Sequence, residues 1–194
     1  MATYKEGETQ PGYFDDAKPE THKVSLDLYR REGAKILGVF TEFCPTVEKA
    51  SIDESFFDLT VPVRALLLER YPELKVDVKT LPKGLDTPLP PPPTSLDWEA
   101  VGYLVPATEP EPASADGEAA DKGKGREVEE PITWHDVALS LGASIMLKCR
   151  ASVRERLGYT TSAGVARNKA LAKLCSAYRK PNAQTSASAL DVTR

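Results

Sequence analysis

Residues 80–130 hold Pro88, the run Pro90-Pro91-Pro92-Pro93, then Glu109-Pro110-Glu111-Pro112 and the small, acidic stretch Ala115 to Asp121. A segment of this kind cannot bury enough apolar area to offset the entropy of ordering it, so it reads as a disordered or polyproline insertion. Any core must then be assembled from residues 1–79 and 131–185, with 186–194 as a tail. One island interrupts the insertion. Leu96 to Val105, with Trp98, Val101, Tyr103 and Leu104, carries enough apolar side chain to pack on the folded part or to pair briefly as a strand. Its alternative reading is a docking motif for another protein, since proline-rich segments serve as ligands.

Charge follows the same three-way division. Eleven basic against fifteen acidic residues give −4 for residues 1–79, four against eleven give −7 for 80–130, and ten against three give +7 for 131–194. The overall −4 therefore conceals a basic C-terminal third, the charge distribution expected of a surface that meets a polyanion. No run of 18 or more apolar residues exists, and the N-terminus lacks a basic region followed by an apolar one, so neither a membrane span nor a secretory signal is expected. Cys44, Cys149 and Cys175 are far apart and have only His22 and His135 as companions, which predicts small core residues rather than a zinc site.

Hydrophobic spacing places the elements. Leu28, Ile36, Leu37, Phe40 and Phe43 predict a helix over residues 25–43, stopped by Pro45. A second helix is expected over 63–70, ended by Tyr71-Pro72, and residues 74–78 alternate like a short strand. Thr133, with Asp136 three residues later, marks a capped helix start, and Val137, Leu141, Ile145, Cys149 and Val153 then recur every fourth residue up to Leu157-Gly158. Residues 159–165 read as a buried strand, with a further helix from about Arg167.

Two features carry chemistry. Asp53 and Glu54 adjoin within Ile52 to Leu59, an apolar strand pattern in which carboxylates need a reason to tolerate desolvation. A hard divalent cation such as Mg2+ supplies one, because it takes a few carboxylates and completes its shell with water and phosphate oxygens. Neighbouring side chains on a strand point to opposite faces, so both acids reach one centre only if a hairpin turn lies near residues 51–53. In the last helix, Lys169, Lys173 and Lys180 project within about 40° of one another on a wheel of 100° per residue, opposite Leu171, Leu174, Cys175 and Tyr178. Three such ammonium groups call for a polyanion, a nucleoside triphosphate or a DNA backbone.

Ser51-Ile52-Asp53-Glu54-Ser55 with Phe56-Phe57-Asp58-Leu59-Thr60 resembles the second catalytic-carboxylate motif of the Y-family translesion DNA polymerases, in its eta form. Thr160 to Leu174, continuing to Lys180-Pro181-Asn182-Ala183-Gln184-Thr185, is similar to the same family's Ser-Ala-Gly strand, phosphate-binding helix and Lys-Pro-Asn turn. Trp134 to Gly142 resembles the preceding helix, and Thr21 to Arg30 the fungal members of the eta branch. The likeness covers residues 1–79 and 131–185, in the family's order. It implies an α/β (α+β) fold, a palm-like mixed sheet backed by helices, incomplete at the N-terminus and broken by the long insertion.

The resemblance further implies a UmuC-type nucleotidyltransferase that copies past ultraviolet-damaged template bases in the nucleus, with primer-template DNA, dNTP and a sliding clamp as partners and no membrane. Asp53 and Glu54 would bind the Mg2+ of a two-metal site. Lys173 and Lys180 would approach the nucleotide phosphates, and Arg167 and Lys169 would contact DNA or phosphate. The family's first Asp-x-Asp strand and its fingers segment have no counterpart upstream of Glu48, and Asp15-Asp16 sits in loop composition rather than a strand. The sequence thus reads as an internal slice of a polymerase palm, inactive alone for want of the first catalytic Asp. Competing readings are a catalytically dead palm remnant that binds damaged DNA or a protein partner, and an unrelated metal-dependent nucleotide enzyme.

Overall fold

The computed structural model describes residues 2–105 and 131–187, arranged as two units, Met1–Asp58 and Leu59–Arg194. In the first unit, β1 (Thr3–Lys5) pairs antiparallel with β2 (His22–Val24), and a hairpin of β3 (Val47–Lys49) and β4 (Ser55–Phe57) follows α1 (Asp27–Phe43). The first ribbon had no apolar alternation to announce it, and Asp15 and Asp16 lie exposed on its connection. Tyr4 donates its hydroxyl hydrogen to Asp27 Oδ2, tying β1 to the start of α1.

Helix α1 ends where the sequence requires. Cys44 leaves the helix in an extended conformation ahead of Pro45, and its thiol donates to the carbonyls of Thr46 and Asp58 at 3.1 and 3.2 Å, fastening the helix end to the residues that flank the open end of the hairpin. Phe40 meets Phe57 edge to face at 4.8 Å, and Val39 is buried. Gly33 lets the hairpin tip approach closely, since a Cβ there would lie 2.7 Å from the Ile52 carbonyl oxygen.

The second unit begins with α2 (Thr60–Arg70), which stops at Tyr71 because Pro72 disfavours a helical residue before it. Residues 74–78, expected as a strand, instead run from the end of one short 3-10 turn, Pro72–Leu74, to the start of another, Val78–Thr80. Pro72 fixes the first. Asp77 builds the second by accepting from the Lys79 amide at 3.0 Å, a local bond that competes with strand pairing.

The insertion is folded through residue 105; residues 106–130 lie outside the described part. Trp134 anchors the proline run, since its indole Nε1 donates to the Pro90 carbonyl at 2.8 Å while its ring meets Tyr71 at 5.0 Å. The apolar island pairs as a short strand, one of the readings its composition offered. After a 3-10 turn at Glu99–Val101, β5 (Tyr103–Leu104) joins a parallel sheet of order β5-β7-β6, with β6 at Ala163–Val165 and β7 at Gln184–Ser186. The tail assigned from residue 186 therefore starts inside β7, and residues 188–194 are not described.

Helix α3 (Trp134–Leu157) is the spine of this unit. Thr133 Oγ1 accepts from the Asp136 amide while Asp136 Oδ2 accepts from the Thr133 amide at 2.9 Å, a reciprocal cap that satisfies two otherwise unpaired donors. Gly158 closes the helix at φ 76°, a left-handed conformation suited to glycine. Val137, Leu141, Ile145, Cys149 and Val153 are all buried, as their four-residue spacing requires. Helix α4 (Lys169–Ala177) crosses over between β6 and β7, the connection that parallel strands demand. The fold is thus α/β, with small sheets and helices consistent with a polymerase palm.

Candidate functional site

The carboxylates sit at the tip of the β3–β4 hairpin. The Ala50 and Ser51 amides both donate to the Glu54 carbonyl, at 2.9 and 3.1 Å, so the chain reverses over residues 50–54 where a turn was expected. Ser51 Oγ donates to Asp53 Oδ1 at 2.7 Å and holds that side chain at the turn. Asp53 is exposed and Glu54 half-buried. The premise that burial forces a cation on both acids therefore does not hold: the turn lifts Asp53 out of the apolar strand into water.

Among the described residues no three His, Cys, Asp or Glu side chains converge on a metal position. The donor chemistry still fits a hard divalent cation, because one or two adjacent carboxylates are the protein's usual share of a Mg2+ shell that phosphate oxygens complete. The Ser51 hydroxyl occupies one lone pair of Asp53 and leaves the other oxygen to a ligand.

In the second unit, α4 is pressed onto β6 at Gly164, where any Cβ would overlap the Ala172 carbonyl oxygen and the Ser176 amide nitrogen. That approach selects the packing face. Leu171 and Ala172 are half-buried and Cys175 is buried, whereas Leu174, placed in the apolar stripe by helical projection, is 69% exposed. Asn168 caps the helix by accepting from the Leu171 amide at 2.9 Å. Lys169 and Lys173 follow one turn apart on the exposed surface, and Arg167 is exposed just before the cap.

Lys180 is not on this helix. Helix α4 ends at Ala177, so the wheel that grouped Lys180 with Lys169 and Lys173 extends past the element; Lys180 belongs to the turn Arg179-Lys180-Pro181-Asn182 leading into β7. Arg179 and Asn182 take left-handed φ values of 55° and 53°, and the Lys180–Pro181 bond is cis. Lys180 stands exposed between them.

Side chains that sequence reading passed over hold this turn. Arg150 of α3 donates from Nε and Nη2 to the Thr161 carbonyl at 3.0 and 2.7 Å, and from Nη2 to Asn182 Oδ1 at 3.0 Å. Burial pushes its guanidinium below the ordinary value, and the two carbonyl-type acceptors offset that cost. On the other flank, the Arg179 guanidinium lies 4.5 Å from the Tyr103 ring centre and 5.5 Å from that of Tyr178. Hydrogen bonding to Tyr178 raises the Arg179 pKa above its ordinary value, and the guanidinium is cationic in any case. Only the Tyr178-Arg179-Lys180 adjacency could have hinted at this cluster, because Tyr103 is distant in sequence. What the arrangement can do is present fixed positive charge to an anion.

A family model described as IMS: impB/mucB/samB family matches residues 16–177. The chain is 37% identical over 185 residues to the N-acetyltransferase eso1 of Schizosaccharomyces pombe, a match covering 95% of this chain and 19% of that protein. It is also 37% identical over 172 residues to the DNA polymerase eta of Saccharomyces cerevisiae, covering 86% and 26%, and 29% identical over 166 residues to the DNA polymerase eta of Drosophila melanogaster, covering 84% and 18%. The chain thus spans 18–26% of the length of these relatives.

Proposed function

The chain belongs to the impB/mucB/samB family, the eta-like Y-family polymerases, and on that premise we propose that it is part of a DNA-directed DNA polymerase for translesion synthesis. The observation that carries the reading is the 37% identity to a DNA polymerase eta across 86% of the chain. Its substrates are primer-template DNA and dNTP, its templates include ultraviolet-damaged bases, its compartment is the nucleus, and the longer protein works with a sliding clamp. No described helix is long and apolar enough to cross a membrane.

Asp53 and Glu54 offer oxygen donors to Mg2+ from a turn that the Ser51 hydroxyl steadies. As part of a two-metal site, these carboxylates would hold Mg2+ where the pair of ions would supply activation of the primer 3′-hydroxyl and neutralisation of charge at the leaving pyrophosphate. Lys180, fixed between Arg179 and Asn182, and Lys173, on the exposed surface of α4, neutralise the triphosphate, while Arg167 and Lys169 contact DNA or phosphate. Positioned cations of this kind lower the barrier by stabilising charge that develops on the phosphoryl oxygens. The 194 residues alone, which carry no Asp-x-Asp strand, bind nucleotide without extending a primer.

Calorimetric titration of the chain with dATP, with and without Mg2+, tests the reading. Binding should require the cation and weaken about tenfold in Asp53→Ala or Lys180→Ala, a loss of about 1.4 kcal/mol. Binding that ignores both the cation and these substitutions would sink the assignment.

A further inference from the structure

We propose that Tyr103 and Tyr178 position Lys180 by holding the Arg179 guanidinium against their rings, so that a strand of the proline-rich, acidic segment sets the geometry of the basic turn. The inference rests on the reading of Lys180 as a phosphate-binding residue.

Arg179 adopts φ 55°, a left-handed conformation that costs a non-glycine residue energy and persists only where its surroundings hold it. Two rings supply that hold, at 4.5 Å from Tyr103 and 5.5 Å from Tyr178. Tyr178 is local in the chain, whereas Tyr103 arrives from far upstream on β5, and its register is firmly set. Tyr103 pairs opposite Thr185 of β7, and Gln184 Nε2 donates to the Val101 carbonyl at 2.7 Å. Gly102 takes φ 130° in between, and any Cβ there would lie 2.5 Å from the Gln184 carbonyl oxygen.

The opposite end of the turn is held independently, by Arg150 Nη2 on Asn182 Oδ1 at 3.0 Å. Lys180 is therefore bracketed by two fixed neighbours while it stays exposed itself. A lysine so placed loses less conformational freedom on meeting a phosphate than one on a free loop, which is where preorganised sites gain affinity. Tyr103 is a positioning residue, acting through Arg179 and touching no ligand.

The test is dATP affinity in Mg2+ for the full chain and for Tyr103→Ala, Tyr103→Phe, Arg179→Gln, Lys180→Ala and the double variant Tyr103→Ala/Lys180→Ala, each with its melting temperature. Tyr103→Ala should weaken dATP by about two- to fivefold, the worth of an exposed cation–ring contact, and Tyr103→Phe should restore affinity because the ring remains. Arg179→Gln should match Tyr103→Ala. In the double variant, loss of Tyr103 should cost nothing beyond loss of Lys180, since an effect transmitted through Lys180 vanishes with it. Additive losses, or a Tyr103→Ala effect that merely tracks a lower melting temperature, would overturn the inference. If Lys180→Ala weakens binding and Tyr103→Ala does not, the positioning role falls and the phosphate reading stands. If Lys180→Ala has no effect, the phosphate reading falls and takes this inference with it.

Discussion

Arg150 reaches from α3 to the side-chain oxygen of Asn182 at 3.0 Å, joining the longest described helix to the turn that carries Lys180. The same guanidinium donates twice to the Thr161 carbonyl, so one side chain fixes both the approach to β6 and the approach to β7. The planar fork of arginine makes this possible, and a lysine ammonium cannot reproduce it.

Substitution of Arg150 should therefore be costly in either form. Arg150→Ala is expected to destabilise the protein by about 2–3 kcal/mol, the range for hydrogen bonds from a charged donor, with the half-buried Thr161 carbonyl left unpaired, and Arg150→Lys should recover less than half of it. Urea unfolding midpoints measure this. A lysine variant as stable as the parent would mean that charge alone matters here.

Gly164→Ala should be the most damaging small substitution in the second unit. Its Cβ would overlap backbone atoms of Ala172 and Ser176, which cannot swing aside as a flexible side chain would, so α4 must shift bodily. A loss of about 3 kcal/mol or more is expected, at the upper end of overpacking penalties. Gly38→Ala is the control: a Cβ added there would meet nothing within 4 Å beyond its chain neighbours and its own helix backbone, and helix propensity should make the change neutral or stabilising. Equal melting temperatures for Gly164→Ala and the parent would refute the packing argument.

Asp27 makes stability depend on pH. Hydrogen bonding from Tyr4, with smaller contributions from Arg30 and Ser25, holds its carboxyl below the ordinary aspartate value of about 3.9. A folded-state pKa below the unfolded one contributes stability that is present above the unfolded value and is lost as pH falls through the folded one. Tyr4→Phe should thus destabilise at neutral pH, with the difference from the parent shrinking in acid, below about pH 4. Denaturation curves at neutral pH and in acid decide it, and a difference that does not change with pH would show that Tyr4 acts by packing alone.

Lys173→Ala should weaken DNA or nucleotide binding and flatten its salt dependence. If Lys173 neutralises one phosphate, the slope of log affinity against log salt should fall by about 0.7–0.9. Anisotropy titrations over a range of salt concentrations read the slope directly. An unchanged slope would return Lys173 to the solvated surface of α4.

Elements with a strong local signature were legible in the chain alone. The reciprocal cap at Thr133 and Asp136, the four-residue apolar repeat of α3, its glycine stop and the hairpin turn beneath Asp53 all follow from short-range chemistry, because turn, cap and helical period are set within a few residues. The end of α4 was less accessible. Its helical projection ran on to Tyr178 on the apolar face and Lys180 on the basic one, but the seat that Gly164 provides for Ala172 selects a different face, and the helix stops at Ala177.

The sequence by itself determined the family, the helix α3 and the identity of the candidate acids and lysines, since these depend on residue type and near neighbours. Tertiary structure alone decided that β7, the central strand of its sheet, would be a buried Gln184-Thr185-Ser186 with no apolar pattern to reveal it, and that Tyr103 would cross from the proline-rich segment to meet Arg179. Both depend on contacts between residues far apart in the chain, whose free energy comes from burial and pairing that no local window of sequence contains.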